Sequence, residues 1–169
     1  MLAPGREANW WSEHVECLVV PFMDKDGVEA GDQGKNRIPR DHNRDYGDDS
    51  IYESVRTLKE LAPAWSAGLL RITCDLHCPW IRGGRNERIY QVGSRWKSMW
   101  QSQQEFSRIL EAACTSGVPY RSEDNLPFGQ EWNVDRSFSQ GIGFTSWASG
   151  LPGVWLATSI EFPYANVGD

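Results

Sequence analysis

Three short apolar runs and two longer stripes at helical spacing set the frame of this chain. Residues 15–22 (VECLVVPF) are rich in β-branched positions and close on Pro21, the pattern of a short buried strand. Residues 69–76 (LLRITCDL) repeat that pattern and lead into Asp75-Leu76-His77. Residues 153–162 (GVWLATSIEF) form a third run. Between the first two, Ile51, Val55, Leu58 and Leu61 recur every three or four residues over 50–62, which predicts an amphipathic helix. Ser50 with Glu53 three residues on reads as its capping box, and Pro63 as its stop. A longer helix is predicted over 94–115. Trp96, Met99, Trp100, Phe106, Ile109, Leu110 and Ala113 form its buried stripe, and Gly117 and Pro119 end it.

Strand, helix, strand, helix, strand predicts an α/β fold with the strands in one sheet. The expected strand cores are 16–21, 70–76 and 154–161, and the expected helix cores are 51–61 and 95–114. Three connections lack periodicity: the Gly-, Asp-, Asn- and Arg-rich stretch 24–49, the polar stretch 78–92 with Gly83-Gly84, and the irregular stretch 120–152. A polar loop of about 25 residues inside a domain is usually functional. In such sheets ligands bind beyond the carboxyl ends of strands. His77 and Glu161 sit near strand ends and the Asn43/Arg44 loop follows a strand, so three polar constellations converge on one sheet edge.

At 169 residues the chain has the length of one domain, 1–169, without internal repeats. Its net charge of -6 and lack of a basic block argue against nucleic acid as a partner. No apolar run reaches the roughly 20 residues of a membrane span. Met1 to Trp11 contains Pro4, Arg6 and Glu7 and no apolar signal core, so a cytoplasmic location is expected. The four cysteines, Cys17, Cys74, Cys78 and Cys114, are too few for a disulfide scaffold and read as reduced, buried thiols. Nine tryptophans without a repeat read as filling of core and cleft walls, with a glycan-stacking surface as the alternative.

The densest chemistry lies in Asp24-Lys25-Asp26-Gly27-Val28, Gly34-Lys35-Asn36-Arg37 and Asp41-His42-Asn43-Arg44-Asp45-Tyr46. From Val20-Pro21-Phe22 to Tyr46 this order resembles the zinc metallocarboxypeptidases, above all their cytosolic-type bacterial members. Asp75-Leu76-His77 resembles the family's strand-end zinc ligand, and Ser159-Ile160-Glu161-Phe162-Pro163-Tyr164 the strand that carries its catalytic glutamate. The resemblance implies a partial zinc-carboxypeptidase-like mixed sheet flanked by helices, and zinc-dependent hydrolysis of C-terminal peptide or amide bonds. It implies a peptide or small carboxylate substrate held by Asn43 and Arg44, with His77 on zinc. Glu161 would act as general base, and Arg37 (or Lys35) would steady the oxyanion.

The residue types suit those tasks. Arg offers a planar fork of donors to a carboxylate, and a neighbouring Asn adds a neutral donor. A Glu in an apolar strand is costly unless it has a partner or a task. The plainer alternatives are a loop Arg44 paired with Asp41 or Asp45, a solvated Arg37, and a rim Glu161 paired with an Arg. Cys74 and Cys78 flank His77, so a Cys–His metal cluster is a further alternative.

The pattern also breaks. A catalytic zinc takes three protein ligands, and no H-x-x-E motif accompanies His14, His42 or His77. The resemblance implies that the segment carrying it would lie before Met1, and that a helix covering the sheet would come after the Glu161 strand. The chain as written is therefore expected to hold zinc poorly. A carboxypeptidase-like module that binds a carboxylate ligand without cleaving is the alternative function.

Overall fold

The computed structural model describes residues 6–32, 34–80, 82–114 and 119–163. Helix α1 spans Arg6–His14, α2 Lys25–Ala30 and α3 Glu53–Ser66. Strand β1 (Ile72–His77) and strand β2 (Tyr90–Val92) follow, then α4 (Lys97–Ala113), α5 (Phe144–Ala148) and β3 (Leu156–Glu161). The three strands form one mixed sheet in the order β1-β3-β2. In it β1 runs parallel to β3, and β2 antiparallel. Among the described residues the fold is thus α/β, with β3 buried along its whole length at the centre of the sheet.

Residues 15–22 are the main departure from the expected layout. They form neither strand nor helix, and their apolar side chains face solvent: Val19 is 73% exposed and Phe22 59%. A strand exists only through ladder bonds to a neighbour. Beyond a bond from Val15 N to Trp11 O that continues α1, this run makes no backbone bond in the described structure. Composition made it strand-like; the missing partner leaves it as coil. Among the described residues the outer edge of β1 is likewise unpaired, and Leu76 there is 67% exposed.

Helix α3 starts and stops by means other than those expected. Ser50 gives its hydroxyl to the carbonyls of Asp45 and Gly47, and Glu53 pairs with Arg56. The helix start is served instead by the buried Asp45 carboxylate, which accepts from the backbone N–H groups of Ile51 and Tyr52 at 2.9–3.0 Å. Pro63 lies inside the helix, which continues to Ser66. Proline forfeits one i→i−4 bond, and a single loss near the end is outweighed by the remaining turn. Ala67 (φ 47°) and Gly68 (φ 82°) then break the helix in the left-handed region.

Helix α4 packs on β3 with an inward face that is partly polar. Met99, Gln103 and Ser107 are its buried residues, with Phe106 and Leu110 packed beside them, whereas Trp96 and Ile109 of the expected stripe are exposed. Gln103 and Ser107 belong to a buried hydrogen-bond network that ties α4 to β2 and β3. Gln91 Nε2 donates to Ser107 Oγ (2.5 Å) and Tyr120 Oη (2.9 Å), and its Oε1 accepts from Thr158 Oγ1 (2.8 Å). Gln103 Nε2 donates to the carbonyls of Ala157 and Val92. Apolar clusters flank the network, one around Ile89, Tyr120 and Ile160, the other around Met99, Ala148 and Ala157.

All four cysteines are free, as expected, but exposed rather than buried. Cys74 lies on the face of β1 opposite to His77. Among the described residues no helix is long and apolar enough to cross a membrane.

Candidate functional site

Strand register brings the chemistry together. His77 ends β1 and Glu161 ends β3, and the two are register partners; Tyr90 of β2 is the partner of Glu161 on its other side. Partners on adjacent strands project to the same face of a sheet. Imidazole, carboxylate and phenol therefore form one row across the sheet. Two residues back, where the alternation returns to that face, Asp75 stands opposite Ser159.

This row opens into a cavity of about 920 Å³ that is also lined by Asn43 and Arg44. Its walls are aromatic: Trp80, Trp96, Trp132 and Trp147, with Phe128 and Phe138. Four of the nine tryptophans thus serve as cleft wall.

The Asn43/Arg44 loop is held from several directions. Residues His42–Arg44 form a single 3-10 turn whose first free N–H, that of Asn43, is accepted by the Asp41 carboxylate at 2.8 Å. His42 is buried and stacked on Tyr52 with ring centroids 3.7 Å apart, a structural rather than a chemical placement. Gly141 (φ 148°) passes so close to the Arg44 carbonyl that a Cβ there would overlap it. This fixed loop leaves the Arg44 guanidinium over the ring of Phe138 at 5.3 Å, donating to the carbonyls of Asn43 (2.7 Å) and Ser137 (3.5 Å). Neither Asp41 nor Asp45 pairs with it. Among the described residues Arg44 makes no ion pair, while the cavity's other guanidinium, Arg95, is paired with Asp135.

Asn43 is engaged differently. Its Nδ2 lies 3.2 Å from Asp75 Oδ2 and 2.8 Å from His77 Nε2, and its Oδ1 accepts from Phe144 N at 2.8 Å. The amide thus stitches the turn to the end of β1 and the start of α5. Arg37 lies apart from the cavity lining. It binds Asp24 through Nε (2.8 Å) and Nη2 (2.9 Å), and Asp32 at 3.3 Å, bracing the turn that α2 begins. The side chain of Lys35 and all of Tyr164 lie outside the described residues.

Three contributors escaped the sequence reading. Asp75 and Ser159 carried a usable signal, since each lies two residues before a proposed site residue in a strand and so shares its face. Tyr90 carried none, because a three-residue strand inside a polar connection shows no alternation.

The electrostatics follow from the crowding of acids. Burial alone would depress the His77 pKa. The hydrogen bond to Asp75 and the charges of Asp75, Glu161 and Asp41 outweigh it, so the imidazole titrates above the ordinary 6.5. Burial, with Glu161 adding, pushes the Tyr90 hydroxyl up to about 12, so it stays protonated beside that carboxylate. A histidine pKa raised by folding contributes stability that is complete below the unfolded value and is lost as pH rises through the folded one. An NMR titration should place His77 above 6.5, and Asp75→Ala should lower it; a wild-type value below 6.5 would contradict the arrangement.

As to metal, the described residues contain no group of three His, Cys, Asp or Glu placed to hold an ion. Cys74 alternates away from His77, so the pair does not form a shared Cys–His site. His77 offers one imidazole, with Nε2 against Asp75 at 2.7 Å. Comparison of the chain with protein-family models, with curated proteins and with solved structures finds no match.

Proposed function

We propose that the cavity is a metallocarboxypeptidase-type site that takes the free C-terminal carboxylate of a peptide or a small carboxylate, and that its chemistry is hydrolysis of the adjoining peptide or amide bond. The observation that carries this reading is Arg44: a fixed guanidinium without an ion-pair partner among the described residues, lining the same cavity as the register pair His77 and Glu161. A carboxylate is the ligand that such a fork fits. Glu161, 8% exposed at the end of β3, has the position of a general base toward water in the cavity.

Zinc is the cofactor such chemistry uses, supplying a polarised water. The donor set described here does not fit it unaided, since one imidazole falls short of the three protein ligands of a catalytic site. That shortfall favours, as a second reading, a non-catalytic module that binds carboxylates.

Both readings make one demand of Arg44. A peptide with a free C-terminus should bind more tightly than its C-terminal amide, and Arg44→Ala should erase the difference. A hydrogen-bonded charge contributes about 1.5–3 kcal/mol, so the loss should be about 10- to 100-fold in Kd. Calorimetric titration of the two peptides measures it. Equal affinity of wild type for acid and amide would remove the carboxylate-binding reading. Release of a C-terminal amino acid by the chain, abolished in Glu161→Gln, would separate the hydrolase from the module.

A further inference from the structure

We infer that Asp75, a residue outside the proposed carboxylate clamp and base, is the positioning residue of the site: its carboxylate holds the Nε2–H form of His77, so that Nδ1 is the ring nitrogen left with a lone pair. The inference rests on the reading of His77 as a site residue but needs no bound ligand.

The geometry decides between two possibilities at one atom. His77 Nε2 lies 2.7 Å from Asp75 Oδ2 and 2.8 Å from Asn43 Nδ2. A ring nitrogen carries a proton or a lone pair, so it cannot donate to the carboxylate and accept from the amide together. The amide is not free to turn its oxygen inward, because Asn43 Oδ1 is held by Phe144 N at 2.8 Å. The carboxylate therefore decides: a bond to a charged acceptor is roughly twice as strong as a neutral one. Nε2 carries the proton and gives it to Asp75, while Asn43 Nδ2 turns its own donor to the same oxygen at 3.2 Å.

Asp75 is in turn steadied from the other side. Ser159 Oγ lies 3.5 Å from the same Oδ2, and Ser159 shares a hydrogen bond with Thr145 at 2.7 Å. His77 of β1, Ser159 of β3 and the Asn43 turn meet at this one carboxylate, and α5 holds Ser159 and Asn43 in turn. Orientation of a functional imidazole by a carboxylate on its far nitrogen is a general device.

The test is the ring itself. In 15N-labelled protein, long-range 1H–15N spectra recorded at alkaline pH, where the imidazole is neutral, report which nitrogen bears the proton. The wild type should show a protonated Nε2 and a bare Nδ1 at His77. Asp75→Ala should collapse this into a mixture of both forms. Asp75→Asn retains an acceptor oxygen of the same shape and should largely restore the Nε2–H form, which a merely space-filling role would not predict. Unchanged tryptophan indole resonances report that each variant is folded; should Asp75→Ala fail to fold, the wild-type spectrum alone still decides. An Nδ1–H form in the wild type, or a folded Asp75→Ala with an unaltered ring, overturns the proposal. Neither result bears on the Arg44 titration, so the two readings fail separately.

Discussion

Asp45→Ala is expected to lower the stability of the chain by about 3–5 kcal/mol, the range for breaking a buried ion pair by removing one partner. Asp45 is fully buried, and its Oδ1 lies 2.9 Å from Arg40 Nε. The same carboxylate accepts from the N–H groups of Ile51 and Tyr52, which lead into α3. Alanine would leave the mostly buried Arg40 with Asp49, an exposed and weak partner, and would orphan two backbone donors at once. Total stabilities of single domains run at about 5–15 kcal/mol, so much of the population would unfold at moderate temperature. Urea unfolding followed by tryptophan fluorescence measures the loss. Asp45→Asn keeps an acceptor of the same shape and should cost clearly less. If the alanine and asparagine variants are equally mild, with losses under about 1 kcal/mol, Asp45 does not anchor Arg40 and the entry to α3. Because Asp45 lies next to Arg44 in sequence, partial loss of the anchor should also loosen the turn that positions the Arg44 guanidinium before the fold is lost.

Asp45 also shows where the sequence was legible and where it was not. The helix it starts was readable from Ile51, Val55 and Leu58, because an apolar stripe is a local signal. The anchor of the segment leading into it was not, because the Asp45 carboxylate reaches Ile51 and Tyr52 across a turn, while the nearer Ser50 and Glu53 offered a plausible local alternative. Strands β1 and β3 were legible as apolar runs, and their register put His77 beside Glu161 at the sheet end that the strand-end argument indicated. Residues 15–22 carry the same signal yet form no strand. Apolar alternation records what a segment can pair with, not whether a partner is present. The interior between β2 and α4 was illegible for the opposite reason. Gln91, Gln103, Ser107 and Thr158 are buried, and residues of these types usually read as surface. At the site, the Asn43 amide turned out to serve His77 and Asp75, and Arg37 to serve Asp24; both partners are remote or on another element, and spacing alone does not reveal them.

That polar interior carries the second large effect. Gln91 is fully buried, and its amide is the hub between Ser107 of α4, Tyr120 and Thr158 of β3. Its backbone N–H and carbonyl bind Asn125 Oδ1 and Leu126 N, so the side chain is fixed in place before its own bonds are counted. Methionine has nearly the same length and packs in the same space, so Gln91→Met isolates the hydrogen bonds from the cavity. It should cost about 2–3 kcal/mol, chiefly because the Thr158 hydroxyl loses its acceptor, at about 1–3 kcal/mol for a buried group left unsatisfied. Ser107 and Tyr120 lose one donor but stay bonded to each other and to Asn125. The asymmetry of buried polar groups gives the control. Removing the orphaned hydroxyl as well, in Gln91→Met with Thr158→Val, should recover about 1 kcal/mol of that loss, although Thr158→Val alone is destabilising. A four-way urea comparison of wild type, both single variants and the double variant yields the coupling energy directly. Strict additivity of the two substitutions would show that Gln91 and Thr158 are not partners, and the network joining α4 to β2 and β3 would lose its centre.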